Sequence, residues 1–289
     1  MNRNLYRHLY KWLAAVAVML APTAGYAQIS CTRAGLDAAA EMLVAAQGSG
    51  DTSKLPAAQG LGYIENFKLM PIGEGVLKKA LKIDFHRNMV DTTTCQTFTE
   101  MIVTDPANPH VIGTRLRVNK DKIVEIESLV TNTGDWLFNA DNYLKWSPDE
   151  DWDIIPENKR DSRDTLVQAG NAYLDAFLEQ NLDPVPWGEP CNRTEGGMRT
   201  GKGEPNDSCT VGVPAGVNIT GRHWVVDEAK GTITIFCTFG VNGLPDSHTF
   251  RLNNGKLRYV HTLSAYPDGD PRTPGPNRNK GKGKGKGKA

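Results

Sequence analysis

RLRVNKDKIVEIESLV (Arg115–Val130) and FRLNNGKLRYVHTLSA (Phe250–Ala265) are two versions of one pattern. Arg117, Asn119, Lys122 and Glu127 return as Arg251, Asn253, Lys256 and His261, at a constant spacing of 134. Upstream, HRNMVDTTTCQTFTEMIV (His86–Val103) is matched by GRHWVVDEAKGTITIFCTFG (Gly221–Gly240), with Asp91 answering Asp227 after a two-residue shift. Internal repetition of this kind points to a duplicated structural unit. Within each copy, apolar residues alternate as in strands: Leu116 and Val118, then Ile123 and Ile126, around the turn residues NKD. In the second copy Asn253-Asn254-Gly255 supplies a hairpin turn.

A helical segment precedes each set of strands. Leu36, Ala40, Leu43 and Val44 recur at helical spacing in the first half; Leu166, Ala169, Ala172, Tyr173 and Phe177 do so in the second, with Asp161 or Ser162 as cap. A second short helix is expected over Glu74–Ala80. The fold class is therefore α+β: two tandem cone-like repeats, each with N-terminal helices packed on a curved antiparallel sheet. The expected layout is a signal peptide over 1–27, a first repeat over 28–148, a linker over 149–160, a second repeat over 161–268 and a disordered tail over 269–289.

The ends carry their own signals. Arg3, Arg7 and Lys11 precede or open the short apolar run WLAAVAVMLAP and the small residues TAGYAQ, the pattern of a cleaved export signal. The run is too short to span a bilayer, so the chain is expected to be secreted or periplasmic and not transmembrane. Of 33 basic residues, three lie in that signal and seven in Arg272–Ala289, leaving 23 against 33 acidic residues in the body. An acidic body argues against specific nucleic-acid recognition. The Lys/Gly tail is a solvated extension able to contact polyanions or an anionic cell surface. In an exported chain the five cysteines should pair. The expected disulfides are Cys31–Cys95 and Cys191–Cys209, with Cys237 left as a buried strand thiol in TITIFCTFG.

The ordered pieces CTRAGL, DFHRNMVD, TCQTFTEMIVTD, IESLVTNTGDWLFNA, VPWGEPCNRTEGG, SCTVGVP and LRYVHTL, from Cys31 to Leu263, resemble a family of secreted proteins common in fungi. That family is a domain of unknown function assigned to the nuclear-transport-factor-two-like (SnoaL-like) cone superfamily. The resemblance implies a bent sheet wrapped around helices over a cavity, and it supplies no reaction. The chain departs from the family pattern EGGxYTG by placing Arg199 at the aromatic position.

Candidate chemistry follows from polar residues on strand faces. Tyr259, His261 and Leu263 share one face of their strand; His248 and Phe250 share a face of the neighbouring one. Across a hairpin His248 and His261 are expected within reach as base and acid, with Asp227 orienting an imidazole. Glu195, beside Gly196–Gly197 in a disulfide-closed flap, is a further acid/base candidate over the second cavity. Arg222, Arg251, Trp187 and Tyr259 are candidates for holding a substrate. His86, Arg87, Glu125 and Glu127 are weaker candidates in the first half. The histidines lack HxH or HExxH spacing, so no metal is expected. No phosphate loop and no GxSxG elbow occurs, so no nucleotide or other cofactor is expected.

Two functions fit. One is a cofactor-independent lyase, isomerase or dehydratase moving a proton on a small organic molecule or sugar acid bound in a cone cavity. The other is a non-catalytic secreted module that binds a ligand or a surface.

Overall fold

The computed structural model describes residues 29–201, 204–210 and 212–266. The expected signal peptide and the Lys/Gly tail lie outside these residues. The first half runs α1 (Arg33–Ser49), β1 (Ala57–Glu65), β2 (Lys68–Leu69), β3 (Phe85–Asp91), β4 (Gln96–Val103), β5 (His110–Asn119), β6 (Lys122–Asn132) and α2 (Ala140–Trp146). The second runs α3 (Arg163–Glu179), β7 (Trp187–Glu195), β8 (Met198–Thr200), β9 (Ile219–Asp227), β10 (Thr232–Phe239), β11 (Leu244–Asn253) and β12 (Lys256–Ser264). The two sheets have the same order, β2-β1-β6-β5-β4-β3 and β8-β7-β12-β11-β10-β9. This is an α+β fold with two similar halves.

Local chemistry starts and stops the helices. Thr32 accepts from Gly35 N at the head of α1, and Gly50 ends it at φ 67. Ser162 accepts from Thr165 N to open α3. The segment expected as a second helix is a single 3-10 turn at Val76–Lys78. Val76 O accepts from Lys79 N at 2.9 Å, and Gln47 Nε2 adds to the turn by donating to Val76 O and Lys79 O, each at 3.0 Å. The sheets are mixed rather than antiparallel, because β1 runs parallel to β6 and β7 parallel to β12. The strand that leaves each helix must reach the far edge of the hairpin ladder, and such a long connection permits parallel pairing.

Burial sorts the structure into helix, sheet, sheet, helix. On one face of the first sheet Leu36, Leu43, Met101, Ile112, Leu116 and Ile126 pack as one core with α1. Leu166, Tyr173, Phe177, Ile233, Ile235 and Phe250 form the matching core under α3. The other faces of the sheets meet through Met89, Phe98, Ile102, Leu129, Val225, Phe236, Tyr259 and Leu263, joined by Tyr143 of α2 and Trp152. Trp152 and Glu150 are buried, so the segment expected as a linker is part of the interface.

A reciprocal clasp closes that interface. Val226 N donates to Asp91 Oδ2 and Val90 N donates to Asp227 Oδ2, each at 3.0 Å. Arg163 grips Asp91 through both terminal nitrogens at 2.9 and 2.7 Å, and Arg33 pairs with Asp227. Each aspartate therefore ends a strand in its own half, while its carboxylate binds the first residue of the opposite half's helix (Arg163 for Asp91, Arg33 for Asp227) and accepts from that half's edge strand. Both aspartates are buried. Asp227 is thus structural and does not orient a histidine. Asp91→Ala or Asp227→Ala leaves a partly buried arginine end and a buried amide unpaired, and each should cost roughly 3 kcal/mol in urea unfolding; the two losses should be similar, because the positions are equivalent.

Gly196 and Gly197, at φ 58 and 129, permit a second cross-half contact. A Cβ on either would lie 2.2 Å from a carbonyl oxygen, of Trp136 and Asn139 respectively, and Asn139 N donates to Gly196 O at 2.6 Å. The expected flap is therefore the β7–β8 hairpin turn seated on the first half, not a cover over a cavity. Gly197→Ala should lower the melting temperature by several degrees, since both the clash and the positive φ oppose it.

Candidate functional site

The sheet–sheet interface buries a charged cluster. His261, from β12, has Nδ1 within 3.0 and 3.2 Å of the two Glu100 oxygens and Nε2 2.7 Å from Glu150 Oε2. Glu100 comes from β4 of the other half and also accepts from Tyr143 Oη at 2.9 Å. Arg87 of β3 lies 3.4 Å from Glu100, donates to Ser147 O at 2.7 Å and sits 4.3 Å over the Trp152 ring. Trp152 stacks on Tyr259 at 5.6 Å and donates from Nε1 to Glu150 Oε2 at 3.0 Å. Arg199 reaches in from β8, with Nη1 3.6 Å from Glu150 Oε1 and its guanidinium over Trp146. The residue that departs from the family pattern is thus wired to this cluster.

Electrostatics follow from that arrangement. Burial presses His261 toward neutrality, but Glu150 and Glu100 outweigh it and raise its pKa from 6.5 to about 9. Burial alone would raise Glu100; His261, Arg87 and the Tyr143 hydroxyl reverse this and hold it at about 2. Glu150 is lowered by the same histidine against the same opposing burial. The cluster is a fixed imidazolium between two carboxylates. Beside it opens a cleft of about 370 Å³ between α1, β3, the 147–153 segment and Lys230. Its walls are polar: Glu41, His86, Arg87, Glu150 and Lys230, with Trp152 beneath. Glu150 Oε1 is buried beside Arg199 without a hydrogen-bond partner. A larger hollow of about 650 Å³ lies along α1 at Met42, Ala45, Ala46 and Pro56, and its described lining has no histidine or arginine.

The other expected site residues are dispersed. His261 pairs across the ladder with Thr249, and His248 with Thr262, so the two histidines point to opposite faces of one sheet. His248 faces α3, where its Nε2 is 2.8 Å from Asp246 Oδ2 and its Nδ1 3.2 Å from the Thr262 hydroxyl. Tyr173, Phe177 and Phe250 surround it at 5.7, 6.0 and 6.1 Å between ring centres in the core under α3. Glu195 pairs with Arg193. Arg222 joins Asp175 at 2.8 Å and Asn171 at 2.9 Å on α3. Arg251 donates to Asp153 O at 3.2 Å, and Trp187 donates to Leu182 O at 3.0 Å while packing on Tyr173. The disulfides are Cys31–Cys95 and Cys191–Cys209, with Cys237 free and buried. Glu100 was open to discovery from sequence, as a lone acid in the otherwise apolar TFTEMIV. Glu150 and Trp152 carried no such signal, because their segment has no period.

Residues 159–264 match the family model described as Domain of unknown function (DUF8021). No curated protein matches the chain. Among solved structures, an NTF-2 like protein of unknown function from Burkholderia xenovorans LB400 is similar at 14% identity and a TM-score of 0.28, covering 36% of this chain and 85% of its own. An NTF2-like protein of unknown function from Cytophaga hutchinsonii ATCC 33406 is similar at 9% identity and a TM-score of 0.28, covering 38% and 94%. Among the described residues no helix is long and apolar enough to cross a membrane.

The cluster makes stability depend on pH. With its folded pKa raised, His261 contributes fully below pH 6.5, and its contribution fades as pH climbs toward about 9. Glu100, with its pKa depressed, contributes fully above 4.5 and loses its contribution as pH falls toward about 2. Thermal stability should therefore decline from pH 6.5 to 9, by at most about 1.4 kcal/mol per pH unit. In His261→Gln melting curves that alkaline decline should be absent.

Proposed function

We propose that this chain is a secreted, non-catalytic module that binds a small polar molecule in the cleft between its two halves. One observation carries the reading: all four ring nitrogens of His248 and His261 are already engaged by protein groups. An imidazolium clamped between two carboxylates has no lone pair with which to take a proton at neutral pH. The pair expected as acid and base is also split between opposite faces of a sheet. The cleft, in contrast, offers cationic groups at Arg87 and Lys230 and the His86 imidazole beside acidic groups at Glu41 and Asp37. That mixture suits a small molecule bearing a carboxylate and several hydroxyls, such as a sugar acid. Lys230 is already oriented, donating to Asn88 O at 2.8 Å, and burial lowers its pKa.

A second reading keeps an enzyme and moves its acid/base group to Glu150. It is favoured by Glu150, which lines the cleft and whose buried Oε1 has an ion-pair contact with Arg199 at 3.6 Å but no hydrogen-bond partner. Calorimetric titration with glucuronate separates the outcomes. Saturable binding to the parent, weakened about tenfold in Lys230→Ala and His86→Ala, is expected. No heat with the parent, or equal affinity in all three proteins, rejects the cleft. A glucuronate-consuming activity abolished by Glu150→Gln establishes the second reading in place of the first.

A further inference from the structure

Each half of the molecule is a control for the other. Strand register equates Met101 with Cys237, Ile112 with Asp246, Thr114 with His248, Ser128 with Thr262 and Val130 with Ser264. In the first half Met101, Ile112 and Val130 belong to the apolar core under α1, and Thr114 and Ser128 share a hydrogen bond of 2.9 Å. The fold therefore tolerates an apolar interior at this place. The second half instead buries a thiol, a carboxylate, an imidazole and a hydroxyl there. Burying such groups is unfavourable unless they are bonded to one another or to something else.

We propose that Cys237, Asp246 and His248 form a binding site for one divalent metal ion of the zinc type, enclosed beneath α3. One donor atom from each lies within 4.8 Å of the other two. Cys237 and Asp246 face each other across β10 and β11, and His248 is two residues further along the same strand face. The sulfur is 3.6 Å from Asp246 Oδ2, and His248 Nε2 is 2.8 Å from the same oxygen. With metal–sulfur bonds near 2.3 Å and metal–nitrogen or –oxygen bonds of about 2.0–2.2 Å, the first separation is already that of a tetrahedral site. The second has to open by about half an ångström. The linear sequence hides the site because the ligands converge across strands rather than along a motif.

Charge and protons balance. A thiolate, a carboxylate and a neutral imidazole cancel the charge of a divalent cation, which suits a buried site, and one water would complete the tetrahedron. The Cys237 thiol loses one proton to solvent when the metal binds. His248 keeps one proton, which moves from Nε2 to Nδ1, where the Thr262 hydroxyl oxygen 3.2 Å away can accept it. Ser264 Oγ donates to Asp246 Oδ1 at 2.7 Å and holds the carboxylate's other oxygen. Sulfur with imidazole nitrogen selects zinc over magnesium or calcium.

The full chain, refolded with zinc and separately with cobalt(II), tests this. One metal per chain by mass spectrometry is expected, and the cobalt form should show a thiolate-to-metal charge-transfer band in the near ultraviolet. Cys237→Ser should remove that band, and Thr262→Val should weaken zinc affinity roughly 10- to 100-fold. A variant carrying the first half's residues, Cys237→Met with Asp246→Ile, His248→Thr and Ser264→Val, should fold and hold no metal. Refolded parent without stoichiometric metal overturns the proposal. So does a cobalt band that survives Cys237→Ser.

Discussion

Two buried aspartates hold the halves of this molecule together. Asp91 and Asp227 sit at equivalent strand ends, and each accepts a backbone amide from the opposite half's edge strand. Each also anchors the first residue of the opposite half's helix, Arg163 or Arg33. A buried carboxylate is tolerated only when its oxygens are filled. Here filling them requires the other half, so the requirement orients the two sheets. The back-to-back arrangement, the apolar seam around Phe98 and Phe236, and the burial of Trp152 all lie within the frame that this exchange closes.

Duplication frees the two halves to differ. At one pair of equivalent positions Glu127 meets buried Arg115 and the partly exposed His223, whereas His261 meets Glu100 and Glu150. The same strand face therefore yields a carboxylate between an arginine and a histidine on one side and a histidine between two carboxylates on the other. Beneath the helices the divergence is sharper. Met101, Ile112 and Val130 fill one half's core with hydrocarbon, while Cys237, Asp246 and Ser264 put a polar cluster into the other.

Much of this was legible in the residues themselves. The repeat of Arg117-x-Asn119 in Arg251-x-Asn253 announced two copies of one unit, because a hairpin needs the same turn chemistry wherever it is built. Strand alternation placed Tyr259, His261 and Leu263 on one face, since that periodicity is local geometry. The cysteine pairing followed from which cysteines each half contains and from the apolar strand around Cys237. What alternation along one strand does not reveal is which residue of the next strand stands opposite. Register depends on hydrogen bonds across the ladder, and a one-residue difference sends His248 and His261 to opposite faces. Glu100, Glu150 and Arg199 meet His261 from other strands and another half, so no sequence spacing links them.

Residues close in the chain set the α+β class, the helices α1 and α3 and the hairpin turns, because capping, periodicity and turn chemistry are local. Which groups meet was settled by packing between distant segments. Long-range packing set Asp227 against Arg33 rather than a histidine, and it turned the glycine-rich hairpin tip against Trp136 and Asn139. It also enclosed the histidines among carboxylates, where low dielectric strengthens each charge contact and leaves their ring nitrogens committed.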